Sequence, residues 1–178
     1  MSTPVMIAII VVVVLIAGVL GFAVTRPDSF TVQRTATVDA PADKIYPLIA
    51  DFRQWGQWSP WENRDPAMAR TFGGAPSGLG ATYAWEGDRN VGVGRMEITE
   101  AAAPRKIAIK LDFMKPFEAH NVAEFTFAPQ GKGTLVTWVM KGPVPFMGKI
   151  MQLFFNMDRL VGGDFESGLA KLKTVSEK

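Results

Sequence analysis

The sequence predicts an α+β domain that follows one membrane-spanning helix. Three observations support this prediction: an uncharged run of about twenty residues near the N-terminus, a series of short alternating segments separated by turn residues, and an amphipathic segment near the C-terminus. The chain of 178 residues is long enough for one domain and an appended segment. We therefore expect a transmembrane anchor over residues 1–25 and a single domain over residues 26–178.

The composition excludes several classes of function. With 19 Lys and Arg against 17 Asp and Glu, the net charge of +2 creates no strong field for nucleic acid. The chain has no Cys and a single His, which removes thiolate nucleophiles and Cys-based metal sites. The usual motifs of serine hydrolases, zinc proteases and nucleotide-binding loops are also missing from the sequence. We expect no cofactor, no metal and no nucleic-acid partner, and we assign no catalytic residue.

The first element is the apolar run over residues 5–24, which as a helix would measure roughly 30 Å, the thickness of the hydrocarbon core. A cleaved signal peptide is the alternative, because Gly21-Phe22-Ala23 resembles a cleavage site. No Lys or Arg precedes the run, and it exceeds the usual 7–15 apolar residues of a signal peptide, so we favour a single-pass anchor. Arg26 and Arg34 follow the run, and by the positive-inside tendency we expect a cytoplasmic C-terminal domain.

The domain begins with a strand and a short helix. Apolar and polar residues alternate over residues 30–38, which predicts the first strand. Asp39 as N-cap and Pro41 in the first turn then predict a helix. Its apolar side would consist of Ile45, Leu48, Ile49 and Phe52.

A loop over residues 53–66 holds three tryptophans, Trp55, Trp58 and Trp61. They could form a lid over a cavity mouth, or lie at the bilayer interface, where amphipathic rings are favoured. They could equally pin the loop to the core. The sequence leaves these alternatives open.

Turn residues divide the next part of the chain into alternating segments, from which we expect four or five further strands in an antiparallel meander. From residue 146 to about residue 173, apolar residues recur at spacings of four and three, which predicts one long amphipathic helix. Gly162-Gly163 in its middle predicts a kink or a close approach.

Two polar features carry weaker predictions. His120 lies on the strand face opposite Phe125, so we expect it to point away from any cavity between sheet and helix. Arg34, Arg70 and Arg95 could hold a polar head group or pair with nearby glutamates.

Three segments resemble the START/SRPBCC superfamily, in its bacterial polyketide cyclase-like branch. They are FTVQRTATVDAPADKIYPLIADFRQWGQWSPWE, GATYAW and KGPVPFMGKIMQLFFNMDRLVGGDFESGLAKLK. The resemblance covers about residues 30–173. It implies the helix-grip fold, in which a curved antiparallel sheet wraps around a long C-terminal helix.

The resemblance also implies an apolar cavity between sheet and helix. The candidate ligand-binding residues are Phe72, Tyr83, Trp85, Met96, Phe113, Phe125, Trp138, Met151, Phe154 and Met157. We expect a membrane-anchored, non-catalytic protein that binds a hydrophobic small molecule or lipid. The alternatives are an enzyme like the polyketide cyclases and aromatases, with Tyr83, an Arg or a Glu handling protons, and a regulatory protein with a filled core that binds a partner.

Overall fold

A curved antiparallel sheet of seven strands forms the body of the protein in a computed structural model that describes residues 2–152 and 156–178. The helices are α1 (Thr3–Val24), α2 (Ala42–Ala50), α3 (Phe146–Met151) and α4 (Met157–Ser176), with a 3₁₀ helix over Phe52–Gln57. The strands are β1 (Ser29–Val38), β2 (Ala69–Gly74), β3 (Ala81–Glu86), β4 (Val93–Ala102), β5 (Lys106–Lys115), β6 (Ala119–Gln130) and β7 (Gly133–Pro143).

The strand order is β1-β7-β6-β5-β4-β3-β2, so β2 to β7 form a meander and β1 joins its end by pairing with β7. The α+β class and the antiparallel meander are thus confirmed. The expected four or five strands after the tryptophan loop were too few, because six are present. Among the six, β2 is a six-residue edge strand with mostly exposed side chains.

Helix α4 packs against β1 and closes the inner side of the sheet. Its buried side includes Phe165, Leu169 and Leu172, which recur at the helical spacing of three and four. The Phe165 ring stacks on Trp138 of β7 with 3.9 Å between ring centroids and an interplanar angle of 6°. These contacts fix α4 across the sheet and define the space between them.

The prediction of one continuous helix from residue 146 to residue 173 was wrong, because α3 and α4 are separate helices. Asn156 is the N-cap of α4, and its Oδ1 accepts a hydrogen bond of 3.1 Å from the Arg159 N–H. The close approach expected at Gly162 is confirmed. A Cβ there would lie 2.0 Å from Arg34 Nη2, so the missing side chain leaves room for the guanidinium.

The start of α2 also differs from the prediction. Pro41 occupies the N-cap position, and no side chain caps the helix. Asp39 instead donates its backbone N–H to Glu177 Oε1 at 2.7 Å, which ties the end of β1 to the last residues of the chain. The apolar side of α2 packs into the core as expected, with Ile45 and Ile49 fully buried.

Helix α1 precedes the sheet and is long and apolar enough to cross a membrane. A signal sequence near an N-terminus would meet the same criteria of length and composition. Its large side chains are exposed along almost the whole length, and only Ala23, near its C-terminal end, is buried.

Candidate ligand-binding site

A cavity of about 170 Å³ lies between the inner face of the sheet, the tryptophan loop and α4. Its walls are almost entirely apolar, and aromatic rings and methionines provide much of the surface. The lining residues are Trp55, Ser59, Trp61, Glu62, Met68, Tyr83, Trp85, Val91, Met96, Leu111, Phe113, Ala123, Trp138, Met140, Val161, Asp164 and Phe165.

The strand residues reach the cavity because alternate side chains of a strand point to the same face. Cross-strand pairing places Tyr83 opposite Met96, and Trp85 opposite Gly94. A Cβ on Gly94 would lie 2.4 Å from the Trp85 ring, so this glycine lets the indole lie across the neighbouring strand. The Trp85 Nε1–H donates to the Val91 carbonyl oxygen at 3.0 Å, which fixes the ring at one end of the cavity.

Trp138 forms a central part of the wall and carries an unpartnered polar atom. Its ring stacks on Phe165 and, at 4.8 Å between centroids, on Phe125. The side chain is buried, yet Nε1 has no hydrogen-bond acceptor among the described residues. A buried donor without an acceptor costs about 1–3 kcal/mol, and because this nitrogen has almost no accessible surface, other atoms of the ring line the cavity.

A polar network closes another side of the cavity. One Glu62 carboxylate oxygen accepts a hydrogen bond from the Tyr83 hydroxyl at 2.7 Å. The other forms an ion pair with Arg70, whose Nε donates to it at 2.7 Å. Burial, together with the Glu62 carboxylate, raises the pKa of Tyr83, and the hydrogen bond to Glu62 raises the pKa of Arg70. Both partners therefore keep their protons at neutral pH, and each Glu62 carboxylate oxygen is engaged.

The tryptophan loop is fixed at several points. The Trp55 and Trp58 indoles donate to the backbone oxygens of Ile49 and Leu48, at 3.0 and 2.8 Å. Trp58 is fully buried and outside the lining, whereas Trp55 and Trp61 line the cavity. These contacts pin the loop to the core around α2.

An ion pair links the tryptophan loop to α4 next to Trp61. The Arg64 guanidinium pairs with the Asp164 carboxylate, and Asp164 itself is part of the lining. The Trp61 ring meets Trp138 edge-on at 5.7 Å between centroids. Trp61 is only partly buried, so within the loop it is the indole with access to both solvent and cavity.

The structure brings together half of the ten predicted ligand-binding residues. Five of them line the cavity, and the other five do not line it or lie outside the described part of the chain. Those in the lining are Tyr83, Trp85, Met96, Phe113 and Trp138.

The other five predicted residues have different surroundings. Phe125 is fully buried beside Trp138, and Phe72 stacks on Tyr83 from the exposed edge strand β2. Met151 is exposed on α3, and Met157 lines a separate surface groove next to Phe30. Phe154 lies outside the described residues. Alternation placed the strand residues on the correct face, but it could not show how far along the sheet the cavity extends.

The prediction did not include several lining residues. Val161, Asp164 and Phe165 follow one another at helical spacing on the inner side of α4, so the helix periodicity contained a signal for them. Glu62 and Val91 lie in loops, where no periodicity indicates direction.

His120 lies outside the cavity, as the strand alternation predicted. Its side chain is 60% exposed, and Nδ1 lies 2.8 Å from Asp112 Oδ1. This hydrogen bond raises the pKa of His120. Burial would raise the pKa of Asp112, but hydrogen bonds from His120, Lys110 and Arg95 outweigh it and lower that pKa. Across residues 2–152 and 156–178, no group of three or more His, Asp or Glu side chains could hold a metal ion.

The comparison with protein families decides the assignment. Residues 29–177 match the model of the family described as polyketide cyclase / dehydrase and lipid transport. The chain belongs to this family. The matched region begins at the first residue of β1 and ends one residue after α4, so the cyclase and lipid transport family accounts for the whole sheet and all helices except α1.

Solved structures share the helix-grip fold of this family at low sequence identity. Protein CV1439 from Chromobacterium violaceum is 14% identical, with a TM-score of 0.58 over 86% of this chain and 99% of that one. Protein Ms6760 from Mycobacterium smegmatis is 23% identical, with a TM-score of 0.56 over 82% and 89%. The di-domain aromatase/cyclase StfQ of the steffimycin pathway is 13% identical, with a TM-score of 0.62 over 84% and 51%. Among curated proteins there is no match to the chain.

Proposed function

We propose that this protein is a membrane-anchored, non-catalytic binding protein for a hydrophobic small molecule or lipid. The observation that carries the proposal is the apolar cavity of about 170 Å³ between the sheet, the tryptophan loop and α4. An apolar cavity of about 150 Å³ holds a benzene-sized molecule, so the present space accommodates a single ring or a short chain. Larger ligands require movement of a wall.

The wall most suited to such movement is the side formed by Trp61 and the Arg64–Asp164 ion pair. The Arg64 and Asp164 side chains are 41% and 22% exposed, and exposed ion pairs contribute only about 0–1 kcal/mol. Opening there separates the loop from α4 without disturbing the buried Trp58 indole. Trp61, with Trp55 behind it, acts as the lid in this proposal.

The polar groups of the cavity favour a neutral ligand. Both Glu62 oxygens accept hydrogen bonds already, and a ligand carboxylate next to Glu62 and Asp164 would meet two negative charges.

The anchor belongs to the proposal. Helix α1 has the length and composition to span a bilayer, and we place residues 1–25 in the membrane as a single pass, with the domain of residues 26–178 in the cytoplasm. A tethered binding domain meets a membrane-dissolved ligand at high local concentration. A reporter fused to the C-terminus that is active only outside the cytoplasm would overturn this orientation.

Nuclear magnetic resonance of the indole N–H groups tests the binding proposal. The full chain, with ¹⁵N-labelled tryptophan in phosphatidylcholine nanodiscs, is titrated with acetophenone and with its hydrocarbon isostere cumene. We expect saturable shifts of the lining indoles with both probes. The Ala123→Leu variant, which narrows the cavity, should weaken these shifts. The absence of saturable shifts with either probe would contradict the proposal.

The second candidate is an enzyme like the polyketide cyclases. The family membership and the Tyr83–Glu62–Arg70 network in the cavity wall favour it, because these groups could handle protons on a folded poly-β-ketone chain. Glu62→Gln distinguishes the two candidates. If the wild type converts a poly-β-ketone chain to product and Glu62→Gln does not, while acetophenone binding persists in the variant, the protein is an enzyme.

A further inference from the structure

One end of the sheet lies next to the C-terminal end of α1. Strand β1 begins there at Ser29, which pairs with Pro143 at the end of β7. The turn from β5 to β6 lies at the same end, because Phe113 near the end of β5 pairs with Ala119 at the start of β6. Helix α3, which follows β7, packs against α1. We call this end of the sheet the anchor end.

Exposed apolar side chains concentrate at the anchor end. Outside α1, eight large apolar side chains of the described residues are exposed, and five of them lie at this end. They are Met114 near the end of β5, Phe117 in the β5–β6 turn, and Phe146, Met147 and Met151 in α3, with Phe117 and Met147 exposed by 70% and 67%. Water-exposed apolar clusters are costly on a soluble surface and mark interaction sites. We call these five residues the apolar end surface.

The tether keeps this surface close to α1. Only residues 25–28 separate α1 from β1, a distance of at most about 14 Å for extended chain. The Val144 N–H donates to the Asp28 carbonyl oxygen at 2.7 Å, and the buried Lys149 ammonium pairs with the Asp28 carboxylate. These bonds hold the tether against β7 and α3, so the domain cannot swing far from the end of α1.

We propose that the apolar end surface docks into the interfacial layer of the same bilayer that α1 spans. This inference rests on the proposed anchor. The charges nearby have both signs, with exposed Lys115 and Glu118 flanking the β5–β6 turn, so apolar insertion rather than attraction to anionic lipid provides the contact. Salt should therefore have little effect on docking.

Docking at this surface turns one end of the cavity toward the lipid. The lining residues Trp85 and Phe113 both pair with Gly94, one residue from Val93 at the anchor end of β4. Val91 of the lining lies in the loop just before that strand. Docking therefore holds this end of the cavity at the bilayer surface, where the local concentration of a membrane-dissolved ligand is high.

Site-specific labelling tests the docking, and the chain has no native Cys to interfere. The single-cysteine variants Phe117→Cys and Met147→Cys carry an environment-sensitive NBD fluorophore in nanodiscs that contain doxyl-labelled phosphatidylcholine. Leu79→Cys is the matched control, because Leu79 is 64% exposed in the β2–β3 connection at the opposite end of the sheet. Val14→Cys, in the middle of α1, reports on the anchor itself.

We expect quenching at positions 117 and 147 at least about twofold stronger than at position 79, because docked interfacial groups enter the bilayer by about 5–10 Å. If position 14 is quenched but positions 117 and 147 are quenched no more than position 79, the docking is overturned while the anchor stands. The apolar end surface would then be assigned to a protein partner. No quenching at position 14 would overturn the anchor and the docking together.

Discussion

Filling the cavity should stabilise the unliganded protein. Ala123 of β6 is buried in the cavity lining, and Ala123→Leu adds three carbons to the empty space. An enclosed cavity of 170 Å³ would lower the free energy of unfolding by about 4 kcal/mol at about 24 cal/mol per Å³, and this cavity costs less because it is partly open. Three buried carbons at about 0.8 kcal/mol each would recover about 2 kcal/mol of that stability.

The assay is thermal unfolding of the ligand-free full chain in nanodiscs. A gain of about 2 kcal/mol should raise the Tm by about 4–8 °C for a chain of this length. Ala128→Leu is the matched control, because it makes the same substitution on the same strand at an exposed position. We expect it to change the Tm little.

The sign of the change distinguishes a cavity from a filled core. If side chains fill the space, three extra carbons overpack it and lower the free energy of unfolding by about 1–3 kcal/mol. A fall in Tm for Ala123→Leu, with Ala128→Leu unchanged, would refute the reasoning from cavity volume.

Three further predictions concern the helix and the titrating groups. Gly163→Ala should raise the free energy of unfolding by about 1 kcal/mol, because its Cβ would meet no atom within 4 Å. Gly168→Ala should lower the free energy of unfolding, because its Cβ would lie 2.9 Å from the Trp138 ring. Chemical denaturation of both variants checks these predictions. The raised pKa of Tyr83 stabilises the folded protein below about pH 10, and this stability is lost as the pH rises further. The urea midpoint of the wild type should therefore fall at alkaline pH, and Tyr83→Phe should make this fall smaller. The raised pKa of His120 stabilises the folded protein at pH values below the ordinary pKa of histidine, and this stability is lost as the pH rises through the raised pKa. The His120→Gln variant should therefore lose this dependence of the urea midpoint on pH near neutrality. Equal midpoints for the two glycine variants, or unchanged pH slopes in the other two, would contradict these assignments.

Much of the fold could be predicted because period-2 alternation and turn residues are local signals. The strand over residues 30–38 matches β1 apart from its first residue, Ser29. The break between α3 and α4 was missed, because apolar residues continue at helical spacing across it. A signal was present in Asn156, a preferred N-cap residue followed by an acidic residue at position 158 in the first turn. The apolar periodicity outweighed that cap in the prediction.

The site was only half predictable, for a different physical reason. Alternation identifies which face of a strand is buried, but the position of a cavity depends on how far each neighbouring side chain reaches into it. Phe125 and Phe113 face the same side of the sheet, yet Phe125 is covered by the Trp58 and Trp138 rings while Phe113 lines the cavity. Glu62 enters through a loop whose path is set by its contacts with Tyr83 and Arg70.

The measurement that tests the central claim most directly is native mass spectrometry of the full chain released from nanodiscs made with lipid extract of its expression host. The account predicts a reproducible added mass on the wild type and on Ala128→Leu that is reduced or absent in Ala123→Leu, because only the last variant places a larger side chain in the cavity. If only Ala123→Leu loses the added mass, the mass comes from a molecule in the cavity and not from lipid that adheres to α1. An unmodified mass for the wild type, or the same added mass on all three chains, would contradict the account.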